Sequence, residues 1–89
     1  HMAYRLWQQR QNRIQFGEKL TVSAATEKFG LTRQEHNILH LLMEGKDNSF
    51  ICDYLSISIN TLKKHILNIY RKLGIRKRVQ LFKKIREKE

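Results

Sequence analysis

The chain contains no proline and only four glycines among its 89 residues. Without proline nothing need break a helix in its interior, and so few glycines leave room for little beyond short turns. A single cysteine, Cys52, excludes an internal disulfide framework and any cysteine-rich zinc site. No apolar run approaches the roughly 20 residues that a transmembrane helix needs. Acidic residues are scarce too: 8 Asp and Glu face 18 Lys and Arg, for a net charge of +10. That excess points to a polyanionic partner, either nucleic acid or an anionic membrane surface. Hydrophobic residues make up 40% of the chain, enough for one small domain with a single core. It is too short for a substrate vault.

The basic charge is concentrated. Residues 1–62 hold seven basic and six acidic side chains, whereas residues 63–89 hold eleven basic and two acidic ones. These charges interleave with a regular apolar stripe, so they belong to folded helices rather than to a disordered arm. His1-Met2 has the form of an expression-tag remnant.

Helical periodicity runs through the chain. Tyr4, Trp7, Gln11 and Ile14 share a helical spacing within a Gln/Arg-rich stretch over 4–16, whose apolar face is thin for a core element. Residues 23–29 read as a short helix ending at Gly30. Thr32 followed by Glu35 fits a capping box, and Ile38, Leu39, Leu41, Leu42 and Met43 then form a broad apolar face that stops at Gly45. Asp47 is placed to cap a short helix carrying Ile51, Cys52 and Leu55. After Ser56-Ile57-Ser58, Ser58 is placed to cap a long helix with Leu62, Ile66, Ile69 and Leu73 as its buried stripe. Gly74 ends that helix, and a last one is expected from Arg78 to Arg86. The class is all-α, a small helical bundle.

Two helices joined by a three-residue turn, the second long and basic with a polar outer face, fit a DNA-binding helix-turn-helix. A helix about 10–12 Å across fits a major groove about 12 Å wide. On the helix over 59–73, the face opposite the apolar stripe carries Asn60, Lys63, Lys64, Leu67, Asn68 and Arg71. Lysine can donate to guanine, asparagine can pair with adenine, and leucine can touch a thymine methyl.

The residues Leu31-Thr32-Arg33-Gln34-Glu35, Gly45-Lys46-Asp47-Asn48, Ile51, Leu55 and Ile57-Ser58 form one part of a longer pattern. Thr61-Leu62-Lys63-Lys64-His65, Ile69, Lys72-Leu73-Gly74-Ile75 and Arg78 continue it in register. With these residues, 31–81 resemble the C-terminal DNA-binding domain of LuxR-type transcriptional regulators. The resemblance implies that Thr61, Lys63 and Lys64 stand at the groove-facing start of the recognition helix. It also implies that Asn48 meets phosphate from the first helix, and that Lys72, Arg76 and Arg78 flank the DNA backbone. His65 matches a family histidine, for which a wedge between helix and turn and a phosphate contact are both open.

Three positions depart from the family pattern. Gln34 stands for an arginine and removes a charge from the first helix of the pattern. Asp47 stands for Ser or Thr; it can still cap, but its carboxylate repels a neighbouring phosphate. Phe50 stands for a glutamate, either as a partner-facing aromatic or as a partly buried one.

Other chemistry has little to stand on. His36 and His40 have metal-ligand spacing, but the residues between them supply no general base and no third ligand is evident. Cys52 occupies a small packing position of the family and is expected to be buried. No glycine-rich phosphate loop and no nucleophile triad are present. The expectation is therefore a cofactor-free, metal-free, non-enzymatic domain at 31–89. Residues 1–30 are assigned to the tag remnant, an upstream linker helix and a short lead-in helix.

The expected role is sequence-specific binding of double-stranded DNA by a bacterial regulator, as a homodimer on an inverted repeat, with the DNA-binding domain in the cytoplasm and the intact protein either cytoplasmic or membrane-anchored. Val79, Phe82 and Ile85 are the expected dimer contact, while Leu81 serves the core and Lys83, Lys84 and Arg86 repel across the two-fold axis. RNA polymerase is a further expected partner. Two rival readings stand beside this one. One is a basic helix-turn-helix module docking an acidic protein of the transcription machinery. The other is a membrane-surface binder using Tyr4, Arg5, Leu6, Trp7, Arg10 and Arg13.

Overall fold

The computed structural model describes residues 19–86. Its elements are β1 (Leu20–Thr21), α1 (Val22–Phe29), α2 (Arg33–Met43), α3 (Asn48–Leu55), α4 (Ile59–Leu73), α5 (Arg78–Lys84) and β2 (Ile85–Arg86). The helix expected over 4–16 lies outside the described residues.

Side-chain oxygens set four of the helix starts. Thr21 Oγ1 accepts from the N–H of Ala24 at 3.0 Å, Asp47 Oδ1 from Phe50 at 2.8 Å, and Ser58 Oγ from Thr61 at 3.1 Å. At α2 the capping box is complete: Thr32 Oγ1 accepts from the N–H of Glu35, and Glu35 Oε1 accepts from that of Thr32. Each such cap stabilises its helix by about 1 kcal/mol. Helix ends are set as plainly. Gly30 and Gly74 take left-handed φ values of 67° and 73°, open to glycine without a Cβ clash. Among the described residues Ser56, at φ 55°, is the one non-glycine residue there, at a cost of about 1–2 kcal/mol. It reverses the chain after α3 and makes the three-residue turn into α4 possible.

The apolar faces meet in one core. Val22 and Ala25 of α1, Ile38, Leu39 and Leu42 of α2, Ile51 of α3, Leu62, Ile69 and Leu73 of α4, and Leu81 of α5 are at most 1% exposed. Ile66 is only half-buried, and Cys52, expected inside, is partly buried against the core edge. The helix α1 thus packs into the same core as the helices that follow it.

The end of the chain corrects one expectation. The last helix stops at Lys84, and Ile85 and Arg86 run extended as β2, pairing in parallel with β1. The register is Leu20 with Ile85 and Thr21 with Arg86. The β-branched Ile85 favours this conformation, and its side chain, 1% exposed, closes the core. It therefore cannot belong to an exposed interface with Val79 and Phe82, which remain on the surface.

Candidate nucleic-acid interface

The helix α4 packs on α2 and α3 through Leu62, Ile69 and Leu73, which fixes the face it turns outward. At 100° per residue, Asn60, Lys64, Leu67 and Arg71 fall within an arc of about 60°, with Lys63 on its flank. All five are exposed. Leu67 is 54% exposed, a large apolar side chain that the monomer leaves uncovered amid cations and an amide. Asn68 and His65 are half-buried at the edges of this face. Thr61 is exposed, and its hydroxyl accepts from that of Ser58 at 3.0 Å, so it is held at the helix start. Asn48 stands exposed at the start of α3, just after the capping Asp47.

Lys72 is placed differently from expectation. Its Nζ lies 2.7 Å from Glu35 Oε1 and donates to the carbonyl of Gly30 at 3.2 Å. Glu35 is only 3% exposed, so this lysine neutralises a buried charge instead of reaching outward. Burial pushes the Glu35 carboxyl up. The bonds from Lys72 and the Thr32 N–H, with the lysine charge, outweigh that and hold it below the usual carboxylate range. Lys72 thus belongs to the scaffold that joins α4 to α2.

Two more cations of the C-terminal third serve the fold. The Arg78 guanidinium donates to the Leu42 carbonyl at 3.3 Å, tying α5 to the end of α2. The Lys84 ammonium donates to the Leu73 carbonyl at 2.6 Å and lies 5.2 Å from the centre of the Phe29 ring. That bond satisfies one of the carbonyls left open at the end of α4. Arg76, in the loop after α4, stays exposed. Lys63, Lys64 and Arg71 on α4, with Arg76 and Lys77 in the loop after it, are therefore left exposed.

Sequence reasoning missed Tyr70. It lines a groove of about 460 Å³ at the end of α4 with Leu67, Arg71, Gly74, Ile75 and Arg76. Burial pushes its phenol up, against a weaker opposite pull from the Arg78 charge, so the hydroxyl is neutral at physiological pH. Its spacing, three residues after Leu67 and beside Arg71, was the available signal. The two histidines with metal-ligand spacing have other partners. His36 Nδ1 is 2.7 Å from Thr26 Oγ1, and His40 Nε2 is 3.1 Å from Glu44 Oε2.

A capped helix, a tight turn through a left-handed residue and a longer second helix with an exposed basic face define a helix-turn-helix domain. Residues 30–85 match the family described as bacterial regulatory proteins, luxR family, and the chain belongs to that family. Over 49 residues it is 47% identical to the nitrate/nitrite response regulator protein NarP of Escherichia coli, covering 55% of this chain and 23% of that protein. It is 48% identical over 50 residues to the transcriptional regulatory protein LiaR of Bacillus subtilis, covering 56% and 24%. With the CsgBAC operon transcriptional regulatory protein of Escherichia coli it shares 39% over 56 residues, covering 63% and 26%. The chain thus spans about a quarter of the length of these relatives. No solved structure gives a significant match. Among the described residues, no helix is long and apolar enough to cross a membrane.

Proposed function

We propose that this chain binds double-stranded DNA sequence-specifically, with α4 in the major groove, and that it regulates transcription as its relatives are named for doing. The observation that carries this reading is the outer face of α4. Asn60, Lys63, Lys64, Leu67 and Arg71 stand together on it, exposed, on a helix whose opposite side is locked into the core. Lys63, Lys64 and Asn60 suit base edges, Leu67 suits a thymine methyl, and Arg71, Arg76 and Asn48 suit phosphates. Lys72 is left out of this set because the buried carboxylate of Glu35 holds it.

Each phosphate neutralised releases counterions and adds about −0.9 to the slope of log affinity against log salt. With several cations exposed on α4 and the loop after it, affinity for a duplex is expected to fall at least about tenfold between 50 and 200 mM salt. Electrophoretic mobility shifts at the two concentrations measure this, and a flat response would remove nucleic acid from consideration.

Pairing of two copies on an inverted repeat falls to α5. Val79 is 58% and Phe82 39% exposed, whereas Leu81 and Ile85 are turned into the core. The contact is therefore narrower than the sequence suggested. Because the Leu73 carbonyl and the Phe29 ring engage Lys84, the repulsion across a two-fold axis is weaker as well. Val79→Glu is expected to abolish cooperative loading of two copies on a palindromic duplex while leaving single-copy binding intact. Analytical ultracentrifugation with and without the duplex checks it. Unchanged cooperativity would place the interface elsewhere.

A further inference from the structure

The residues that line the groove at the end of α4 all come from one short stretch, Leu67 to Arg76, and none of them is acidic. From Tyr54 to Arg86 the chain holds no aspartate or glutamate at all. Arg71 and Arg76 stand exposed at this groove, and Leu67, Tyr70 and Ile75 supply its apolar floor. The space beside Gly74 is open, since a Cβ there would meet nothing within 4 Å. Tyr70 adds an uncommitted hydroxyl. Among the described residues nothing hydrogen-bonds it, whereas no fully buried side-chain nitrogen or oxygen lacks a partner. The hydroxyl of this half-buried residue therefore reaches the surface. Burial keeps the phenol protonated, and a neutral phenol can donate to an anion that a phenolate would repel.

A DNA strand alternates anionic phosphate with the apolar carbons of deoxyribose, and the groove sets guanidinium groups beside an apolar floor. It also lies where such a strand would pass. The groove shares Leu67 and Arg71 with the outer face of α4. Tyr70 stands ten residues beyond Asn60, about 15 Å along the helix. The major groove is about 12 Å wide, so a helix whose first turn reads base edges has reached the bounding backbone by that point. We infer that this groove seats one strand of the bound duplex by its backbone, with deoxyribose carbons on the apolar floor, the Tyr70 hydroxyl donating to a phosphate oxygen, and Arg71 and Arg76 on the same stretch of backbone. The inference rests on the reading of α4 as a DNA-binding helix, and it adds a contact that carries no charge and reads no base.

Tyr70→Phe keeps the ring and removes only the hydroxyl. By fluorescence anisotropy on the duplex preferred by the wild type, this variant should bind about three- to tenfold more weakly. The loss should be the same on mismatched duplexes. The slope of log affinity against log salt should not change, because no charge is lost, whereas Arg71→Ala should lower it by about one. Neutral methylphosphonate, placed at one phosphate after another, locates the contact. At a single position of the site, wild type and Tyr70→Phe should bind nearly alike, while the hydroxyl keeps its effect at every other position. Tyr70→Phe binding as tightly as the wild type would overturn the inference. So would an altered base preference, or a loss that no methylphosphonate position removes. In each of those cases a wild type that still enriches a motif and responds to salt leaves the reading of α4 standing; a wild type that does neither ends both.

Discussion

Lys72→Ala is expected to lower the unfolding free energy by about 2–3 kcal/mol, far more than loss of a surface lysine. The variant leaves Glu35, 3% exposed, with a buried charge and no ammonium to meet it. Breaking a fully buried pair costs about 3–5 kcal/mol. The Lys72 side chain is 35% exposed, so solvent screens part of the interaction and the lower figure applies. For so small a domain the loss corresponds to a fall in Tm of roughly 10–20 °C. Urea unfolding of wild type and variant measures it, and a loss below about 0.5 kcal/mol would show the pair to be an ordinary surface contact.

The same pair sets an acid dependence. Glu35 is held below its ordinary value of 4.5 in the folded protein, so its contribution is fully present above that value. It is lost as pH falls through the lower, folded one. Lys72→Ala should remove this acid-labile stability, and Glu35→Gln should remove it too. In the double variant Glu35→Gln/Lys72→Met most of the neutral-pH stability should return, because no unpaired charge stays buried.

The second large effect is on binding. Lys63→Ala and Lys64→Ala should each cost about 1–3 kcal/mol on the preferred duplex and relax the preference at one base position. Neither lysine is buried, so stability should not move with affinity. Arg76→Ala should instead weaken all duplexes about equally, as loss of a phosphate contact does. Competition binding against mismatched duplexes distinguishes the two patterns. If both lysine variants keep the full discrimination of the wild type, the groove-facing side of α4 is misassigned.

Most of the scaffold was legible because local chemistry and global packing agree in it. Thr32 with Glu35, Asp47 and Ser58 each set a helix start that sequence alone marks, and Gly30 and Gly74 mark two ends. The stripe of α4 was legible for the same reason, since its spacing leaves one side for the core. What escaped depends on contacts far apart in the chain. Lys72 reads as one more cation in a basic helix until Glu35, 37 residues earlier, is brought beneath it. Ile85 continues a helical spacing after Leu81 and Phe82, yet pairing with Leu20 draws it out of the helix and into the core. Periodicity says nothing about either event. Phe50 was open between a buried and a partner-facing role, and the structure leaves it exposed and stacked on Tyr54.

Selection from a pool of random duplexes, run in parallel on the wild type and on Lys63→Ala/Lys64→Ala, tests most directly whether α4 reads DNA sequence. The wild type is expected to enrich a single motif, repeated in inverted orientation where two copies bind, and the double variant to lose the motif while still retaining DNA weakly. Retention of duplexes by the wild type with no enriched motif would contradict sequence reading by α4 and leave only the attraction of a basic surface for phosphate.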